Sequence, residues 1–470
     1  MATLIKNGTL ITASETFQSD ILIEGEKISR IGAGLKADSA QGIDASGKLI
    51  LPGGVDPHTH FDLPMFNTVS SDDHYTGHKA AAFGGTTTVM DFVVQEPQGF
   101  KHSVDLWMDK AKKAAIDYSF HMNLTKFDDH IAKEIPSLRE MGITTLKVFT
   151  AYNGRLRLDD SSIFKALRIA KENGMLVMAH CENGDVIEIL TAEALAAGHT
   201  TPEWHALTRP AWGAVEATFH MAAMAEQADA PVYIVHMNAG GEVDMLKYAR
   251  EHGVKVMGET CPQYLFFTID DLRRADGPKW ICSPPMRTEK DNARLWEGLS
   301  DGILQTIGTD HCPFYFDGTR PIVYEGREIA IPGKELGGDD FTKIPNGLPG
   351  VGDRLPILWT YGVRAGRITA NQFVAYTSTN PAKIFGLYPR KGALLPGADA
   401  DLVIWDPEKR VKYGVAHAQH RTDYNLYEGW DLVGYPEKVF LRGKLIVDGE
   451  QWFGKAGQGE FCKRGEGEVL

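Results

Sequence analysis

Eight short runs of apolar and β-branched residues, separated by amphipathic stretches with helical periodicity, most constrain the fold of this 470-residue chain. The runs span residues 54–60, 87–94, 118–124, 144–150, 175–181, 231–237, 255–261 and 304–311. Eight strands that alternate with helices predict an α/β fold in which a parallel (β/α)8 barrel of the TIM type closes on itself. An open doubly wound sheet is the alternative, and it is disfavoured because no G-x-G-x-x-G turn opens a helix.

The two ends of the chain have a different residue pattern, which is typical of short strands separated by turns. Segments such as LIKNGTLIT near the start and ADLVIWDP and EKVFLRGKLIVDGE near the end are typical of a small antiparallel sheet. We therefore predict one discontinuous β-sandwich domain from residues 1–52 and 389–470. The catalytic barrel would occupy residues 53–388.

Composition and charge exclude several classes of protein. The formal net charge of −13 disfavours nucleic acid and anionic membranes as partners. The first residues, MATLIKNGTLITA, lack the pattern of a signal peptide, and no window approaches the roughly 20 apolar residues of a membrane span. Five cysteines without a C-x-x-C pair disfavour both a disulfide framework and a thiolate zinc site, so a cytoplasmic location is predicted.

Five of the eight runs carry a residue of a metal-ligand type at or near their C-terminal end. These residues are His58 and His60 on the first run, Lys147 on the fourth, His180 on the fifth, His236 on the sixth and Asp310 on the eighth. In a parallel barrel these ends meet at one rim, where active sites lie. Each residue alone has an ordinary explanation, since a lone histidine is most often a hydrogen-bonded core residue. Together they predict a two-metal hydrolase site.

Longer motifs surround these positions. They include PGGVDPHTHFDLP, AAFGGTTTVMDF, TTLKVFTAY, MAHCENGDV, GTDHCPF and DFTKIPNGLPGVGDR. These motifs resemble the dihydropyrimidinase/D-hydantoinase family of the amidohydrolase superfamily, and they cover nearly the whole chain. The resemblance implies a zinc-dependent cyclic amidase that opens 5,6-dihydropyrimidines or 5-substituted hydantoins to N-carbamoyl amino acids. It also implies a homotetramer.

The resemblance further implies two zinc ions per subunit, bridged by a hydroxide and by Lys147 after its carboxylation by CO2. The implied ligands are His58, His60 and Asp310 for one ion and His180 and His236 for the other. A cationic lysine would be expelled by two divalent cations, whereas a carbamate reverses its charge and supplies two oxygen ligands. Of about four positive charges, carbamate, hydroxide and Asp310 remove about three, so about one remains to polarise a carbonyl.

Four residues are expected to act on the substrate. Asp310 would take the proton of the attacking water and pass it to the leaving nitrogen. The family assigns the stabilisation of the carbonyl oxygen to a tyrosine at the position of Tyr152. Backbone groups of Ser283 and Asn346, on loops that contain proline, would hold the ureido edge of the ring.

The substrate is predicted to be a small cyclic amide or ureide. Dihydroorotase relatives carry an arginine two residues after H-x-H, and Asp62 at that place disfavours a carboxylated ring. Allantoinase and a cyclic-imide hydrolase remain alternatives. A non-enzymatic scaffold is disfavoured because every ligand is retained. Apolar residues that would form a gate around a small or apolar substituent are Leu63, Met65, Phe66, Leu156 and Leu158.

Residues 314–340 depart from the family pattern. This segment is longer than the usual spacing before the KIPNG motif. It predicts either a lid or a contact between subunits.

Overall fold

Eight parallel strands, here β1–β8, form the centre of the computed structural model, which describes residues 2–38, 40–65 and 68–470. Their bounds are Gly54–Thr59, Thr86–Val93, Asp117–Asn123, Thr145–Phe149, Leu176–His180, Val232–Ile234, Val256–Thr260 and Thr306–Ile307. The strands follow one another around the sheet in chain order, and every neighbouring pair is parallel. Each predicted run overlaps one strand, so the predicted (β/α)8 barrel is confirmed.

The barrel closes between β1 and β8 through loop and side-chain contacts, because β8 has only two residues. The backbone N–H of His60 donates to the carbonyl of His311 over 2.7 Å. Buried Arg354 donates from Nη1 to the carbonyls of Val55 (3.0 Å) and Ile307 (2.9 Å), one on each strand. The guanidinium thus satisfies carbonyl groups that a longer ladder would have paired.

Helices surround the barrel. Those of eight or more residues are Thr76–Phe83, Phe100–Lys110, Asp129–Glu140, Asp160–Glu172, Gly184–Ala196, Ala211–Gln227, Gly240–Glu251 and Glu289–Ser300. Shorter α-helices are Trp204–Leu207, Pro262–Phe266, Ile269–Leu272, Arg354–Leu358, Ala370–Val374, Asn380–Ile384 and Val415–Ala418. The helix after β4 shows why such segments are helical: Asp159 caps it by accepting from Ser162 N (3.0 Å). Its buried residues have helical spacing and are Ile163, Ala166, Leu167 and Ala170.

No helix in the described part of the chain is both long and apolar enough to cross a membrane. All five cysteines are buried and free of disulfides.

Both chain ends contribute to one nine-stranded sheet, as predicted. Its strands are Ala2–Ile11, Thr16–Glu24, Lys27–Gly32, Gln41–Asp44, Leu49–Pro52, Leu402–Lys412, Asp431–Leu441, Lys444–Asp448 and Gln451–Trp452. The ends meet where Leu49–Pro52 pairs antiparallel with Leu402–Lys412. Leu49–Pro52 leads directly into β1, so the junction with the barrel is short.

A buried ion-pair network joins the terminal sheet to the first residue of β3. Lys391 Nζ lies 2.5 Å from Asp117 Oδ2, 3.0 Å from Asp399 Oδ2 and 2.6 Å from Asp401 Oδ2. Arg442 also pairs with Asp117. Burial alone would lower the pKa of Lys391, but the carboxylates of Asp401 and Asp117 raise it well above its ordinary value. The ammonium therefore stays charged where the two parts of the structure meet.

Replacing Lys391 with methionine should destabilise the protein by about 3–5 kcal/mol, because buried carboxylates would lose their counter-charge. Lys27→Met is a matched control, since Lys27 also contacts Asp399 (2.6 Å) but its side chain is 49% exposed. The control should cost less than about 1 kcal/mol. Urea unfolding of both variants measures the difference, and equal midpoints would contradict the assignment.

Candidate active site

Four of the predicted ligands meet at the C-terminal ends of β1, β4 and β8. Asp310 Oδ1 lies 3.1 Å from His58 Nε2 and 3.0 Å from His60 Nε2. Lys147 Nζ lies 3.4 Å from His58 Nε2. His58 is the second-last residue of the buried strand β1, and His60 directly follows the strand. The strand ends thus direct two imidazoles, a carboxylate and an amine toward one point.

The other two predicted ligands, His180 and His236, lie beside this group. His180 Nδ1 is 3.0 Å from His236 Nε2. The ring centroids of His58 and His236 are 5.3 Å apart. Ligand atoms of His58, His236 and Asp310 all lie within 4.8 Å of one another, so the two groups of ligands are continuous. The structure therefore brings all six residues into one cluster.

The donor set of this cluster fits divalent metal ions. Imidazole nitrogens and carboxylate oxygens are the ligands that catalytic zinc sites use. His58, Lys147, His180 and His236 are buried at the barrel rim, His60 and Asp310 are partly buried, and their donor atoms face one another. Packing neutral imidazole nitrogens against each other without a shared cation leaves lone pairs poorly satisfied.

Glu259, at the end of β7, orients two of the histidines. Its Oε1 lies 2.7 Å from His58 Nδ1 and accepts from the backbone N–H of His236 (3.1 Å). Its Oε2 accepts from the Tyr233 hydroxyl (2.9 Å). A carboxylate that accepts from Nδ1–H fixes the tautomer in which Nε2 of His58 is free to bind a metal.

Glu182 orients His180 in the same way. Its Oε2 lies 2.8 Å from His180 Nε2 and accepts from Arg209 Nη1 (3.0 Å). Burial would raise the pKa of Glu182, but Arg209 and His180 lower it to about 2. The ionised carboxylate accepts from Nε2–H, so the lone pair of Nδ1 of His180, which faces His236, is free to bind a metal. The sequence analysis missed Glu259 and Glu182, although each lies at or just after a strand end.

Lys147 is buried at 2% exposure, and its Nζ lies 4.5 Å from the ring centroid of Phe92. Burial lowers the pKa of Lys147 to about 8, against the opposing effects of Asp310 and Glu259. Near neutral pH a part of this lysine is therefore the neutral amine, the form that adds to CO2. The surroundings are thus compatible with a carboxylated lysine.

Three site residues have left-handed backbone conformations. The φ angles are 67° for Tyr152, 38° for His236 and 52° for Asp310. Such angles are uncommon for residues other than glycine, and they concentrate at functional sites. Each of them lies two or three residues after the end of a barrel strand.

A cavity of about 250 Å3 opens onto the cluster. The predicted ligands that line it are His60, Lys147, His180, His236 and Asp310. Tyr152, Ser283 and Asn346 line other parts of it. Ligand cavities usually have roughly 300–1,000 Å3, so this volume suits a small ring.

Ser283 and Asn346 lie on neighbouring loops. Asn346 Nδ2 donates to Ser283 Oγ over 3.2 Å, and His205 Nε2 is 3.2 Å from the same hydroxyl. Within the described ranges, the backbone N–H and C=O groups of Ser283 and Asn346 have no hydrogen-bond partner. These groups are therefore available to a planar amide or ureide edge.

Most of the predicted apolar gate lines the cavity. Leu63, Met65 and Leu156 do so, together with Pro64. Leu158 does not, which corrects the prediction: it packs into the main hydrophobic core because the chain turns back toward β4, where Leu158 N donates to Phe149 O (3.2 Å). Phe66 lies outside the described residues.

The other histidines near the rim have structural partners. His121 contacts Thr145 Oγ1 (2.6 Å) and the carbonyl of Pro57 (3.0 Å). His311 Nδ1 accepts from Gly350 N (3.1 Å) and turns away from the ligand cluster. Neither ring nitrogen of these two residues is directed at the cavity, so both support the loops around it.

Comparison with known proteins places the chain among cyclic amidases. The amidohydrolase family profile matches residues 49–446. The chain is 45% identical to the D-hydantoinase of Geobacillus stearothermophilus, over 99% of this chain and 97% of that protein. It is 42% identical to the D-hydantoinase of Rhizobium radiobacter, over 99% of each. The crystal structure of dihydropyrimidinase from Brevibacillus agri NCHU1002 aligns with a TM-score of 0.95 and 46% identity, over 100% of both chains.

Proposed function

The chain belongs to the amidohydrolase family, and on that premise we propose that it acts on 5-substituted hydantoins and 5,6-dihydropyrimidines. It is a hydrolase of cyclic amides that opens hydantoin-type rings, and the products are N-carbamoyl amino acids. The observation that carries the proposal is the cavity of about 250 Å3, where metal-ligand side chains and free backbone amide groups line the same small space.

The family is metal-dependent, and we propose two zinc ions per subunit. His58, His60 and Asp310 would hold one ion. His180 and His236 would hold the other, and carboxylated Lys147 would bridge the two. When bound, the ions supply Lewis acidity, which lowers the pKa of water and polarises a carbonyl. The clustering of the six side chains and the buried amine of Lys147 support this assignment.

Asp310 is placed to transfer a proton from the attacking water to the leaving nitrogen. A water molecule adds to the ring amide carbonyl, and Asp310 accepts the proton that this water loses. Burial would raise the pKa of Asp310, but His58 and His60 lower it well below its ordinary value, so it begins the reaction ionised. It then donates the proton to the ring nitrogen as the C–N bond breaks. This leaves a carboxylic acid, which releases its proton to solvent at neutral pH, and a carbamoyl nitrogen.

Tyr152 and the two loops position the substrate. The Tyr152 hydroxyl donates to the carbonyl oxygen as that oxygen gains charge, which favours the transition state over the bound ring. Burial raises the pKa of Tyr152 well above its ordinary value, so the hydroxyl keeps its proton at neutral pH. Backbone groups of Ser283 and Asn346 hold the ureido edge. The 5-substituent would face Leu63 and Met65.

A substrate panel tests this function. We expect kcat/KM to be highest for hydantoin, 5-substituted hydantoins and dihydrouracil, and at least about tenfold lower for allantoin, whose polar ureido substituent would face apolar side chains. The measurement uses zinc-loaded protein, with a chelator-treated sample as the control. Preference for allantoin would favour the allantoinase alternative, and activity unaffected by complete metal removal would contradict the metal-dependent assignment.

We also propose a cytoplasmic homotetramer. Large apolar side chains are exposed on two neighbouring helices after β5, with exposed fractions of 60% for Ile189, 77% for Trp212 and 45% for Phe219. Exposed apolar groups of this size are typical of contacts between subunits. The molecular mass in solution, measured by light scattering, tests the tetramer.

A further inference from the structure

The long segment between Asp310 and the KIPNG motif contains a β-hairpin. Strands Thr319–Tyr324 and Arg327–Pro332 pair antiparallel around a turn at Glu325 and Gly326, both with positive φ. Such a two-residue turn matches the twist of the strands it joins. We call residues 319–332 the rim hairpin. The hairpin lies within the segment for which the sequence predicts a lid or a subunit contact.

The rim hairpin packs behind a second, smaller strand pair, Pro64–Met65 with Thr68–Val69, here called the gate strands. Ile322 and Ile331, from its two strands, form a separate buried apolar cluster with Val69 of the gate strands. This cluster is not continuous with the barrel core. The apolar contact between the gate strands and the hairpin is therefore separate from the barrel core.

A lysine also connects the hairpin to the loop that follows β1. Lys110 Nζ donates to the carbonyl of Asp62 (2.9 Å) and to the hydroxyl of Tyr324 (3.2 Å). Its ammonium also lies 4.1 Å from the Trp107 ring centroid and 5.0 Å from that of Tyr324. Asp62 precedes Leu63, so this contact holds the start of the segment that lines the cavity.

The gate strands contribute to the wall of the small cavity on their other side. Pro64 and Met65 line the cavity of about 250 Å3, next to Leu63. Met65 and Thr68 also line a wider outer cleft of about 990 Å3, together with Pro332 at the end of the hairpin. The gate strands therefore lie between the hairpin and the small cavity, at the passage to the cleft.

We propose that the rim hairpin is a specificity element, which holds the gate strands against the cavity and so limits the size of the 5-substituent that the enzyme accepts. This inference rests on the proposed hydantoinase function. The wall that Leu63, Pro64 and Met65 form can yield to a large substituent only if the gate strands move outward. Ile322 and Ile331 occupy the space into which they would move. A packed apolar contact resists such a displacement.

Removing the hairpin should therefore relax selectivity. Gly333 N donates to Gly318 O over 2.5 Å, so the ends of the hairpin already meet and residues 319–332 can be deleted by joining Gly318 to Gly333. The flanking backbone has its own anchor, because Asp423 accepts from Phe316 N (2.7 Å) and Asp317 N (2.9 Å). We expect the ratio of kcat/KM for 5-benzylhydantoin to that for hydantoin to rise at least about tenfold.

A double variant, Ile322→Ala with Ile331→Ala, keeps the backbone and should raise the same ratio about threefold or more. Val323→Ala is the matched control, since Val323 follows Ile322 on the same strand but points to the opposite face and is 56% exposed. The kcat/KM ratio of this variant should stay at the wild-type value. Metal content and thermal midpoint are measured for each variant. An unchanged ratio, or an equal loss on both hydantoins, would overturn the proposal. Wild-type protein that opens neither hydantoin would instead overturn the proposed function.

Discussion

The Lys147→Ala variant should lose its tightly bound metal pair and at least about 10⁴-fold in kcat/KM, which corresponds to about 5 kcal/mol of transition-state stabilisation. Lys147 is buried with its amine 3.4 Å from His58 Nε2. Its carbamate would join the two halves of the cluster. Without it, two divalent cations would face each other with less negative charge between them. Metal per subunit after desalting and hydantoin hydrolysis measure the two losses.

The same residue permits a direct test of carboxylation. Metal-free wild-type protein loaded with zinc should recover activity with bicarbonate and recover little when bicarbonate and CO2 are excluded. With 13C-labelled bicarbonate, a carbamate resonance should appear in the wild type and be absent from Lys147→Ala. Lys101→Ala is the control, because the Lys101 side chain is 80% exposed on a helix outside the barrel. Full metal content in Lys147→Ala would refute the bridging role.

The Asp310→Asn variant should lower kcat by about 10²–10⁴-fold, the usual contribution of a positioned acid or base. Asparagine keeps the shape of the side chain and one oxygen near His58 and His60, but it cannot take a proton from water. We expect KM to change by less than about threefold, since the loss concerns a step after substrate binding. Steady-state kinetics at several zinc concentrations separate this loss from weaker metal binding.

Glu188→Gln is the control for Asp310→Asn. Glu188 lines the outer cleft but not the small cavity, so its replacement should change kcat by less than about twofold. If zinc saturation restored wild-type kcat to Asp310→Asn, Asp310 would be a ligand only, and the proton transfer would belong to another group.

Much of the fold could be predicted because its signals are local. A strand buried on both faces needs a continuous apolar run, and the helices between the strands need an apolar stripe. Both patterns can be counted within a dozen residues. Glu259 and Glu182 also had a local signal, because each lies at or near a strand end. Their roles could not be predicted, since Glu259 acts on His58, 201 positions away.

By itself, the sequence determined the order of eight strands, the pairing of the two chain ends in one sheet, and the rim on which the candidate ligands stand. These follow from periodicity and from the rule that parallel strands end on one side. Only the tertiary structure decided which nitrogen of His58 and His180 faces the centre of the site. It also decided how Arg354 closes the barrel between β1 and β8, and which side chains the rim hairpin supports. Apart from the contact of Glu182 with His180, which Arg209 supports from 27 positions away, those outcomes depend on contacts between residues far apart in the chain, whose energies no local pattern records.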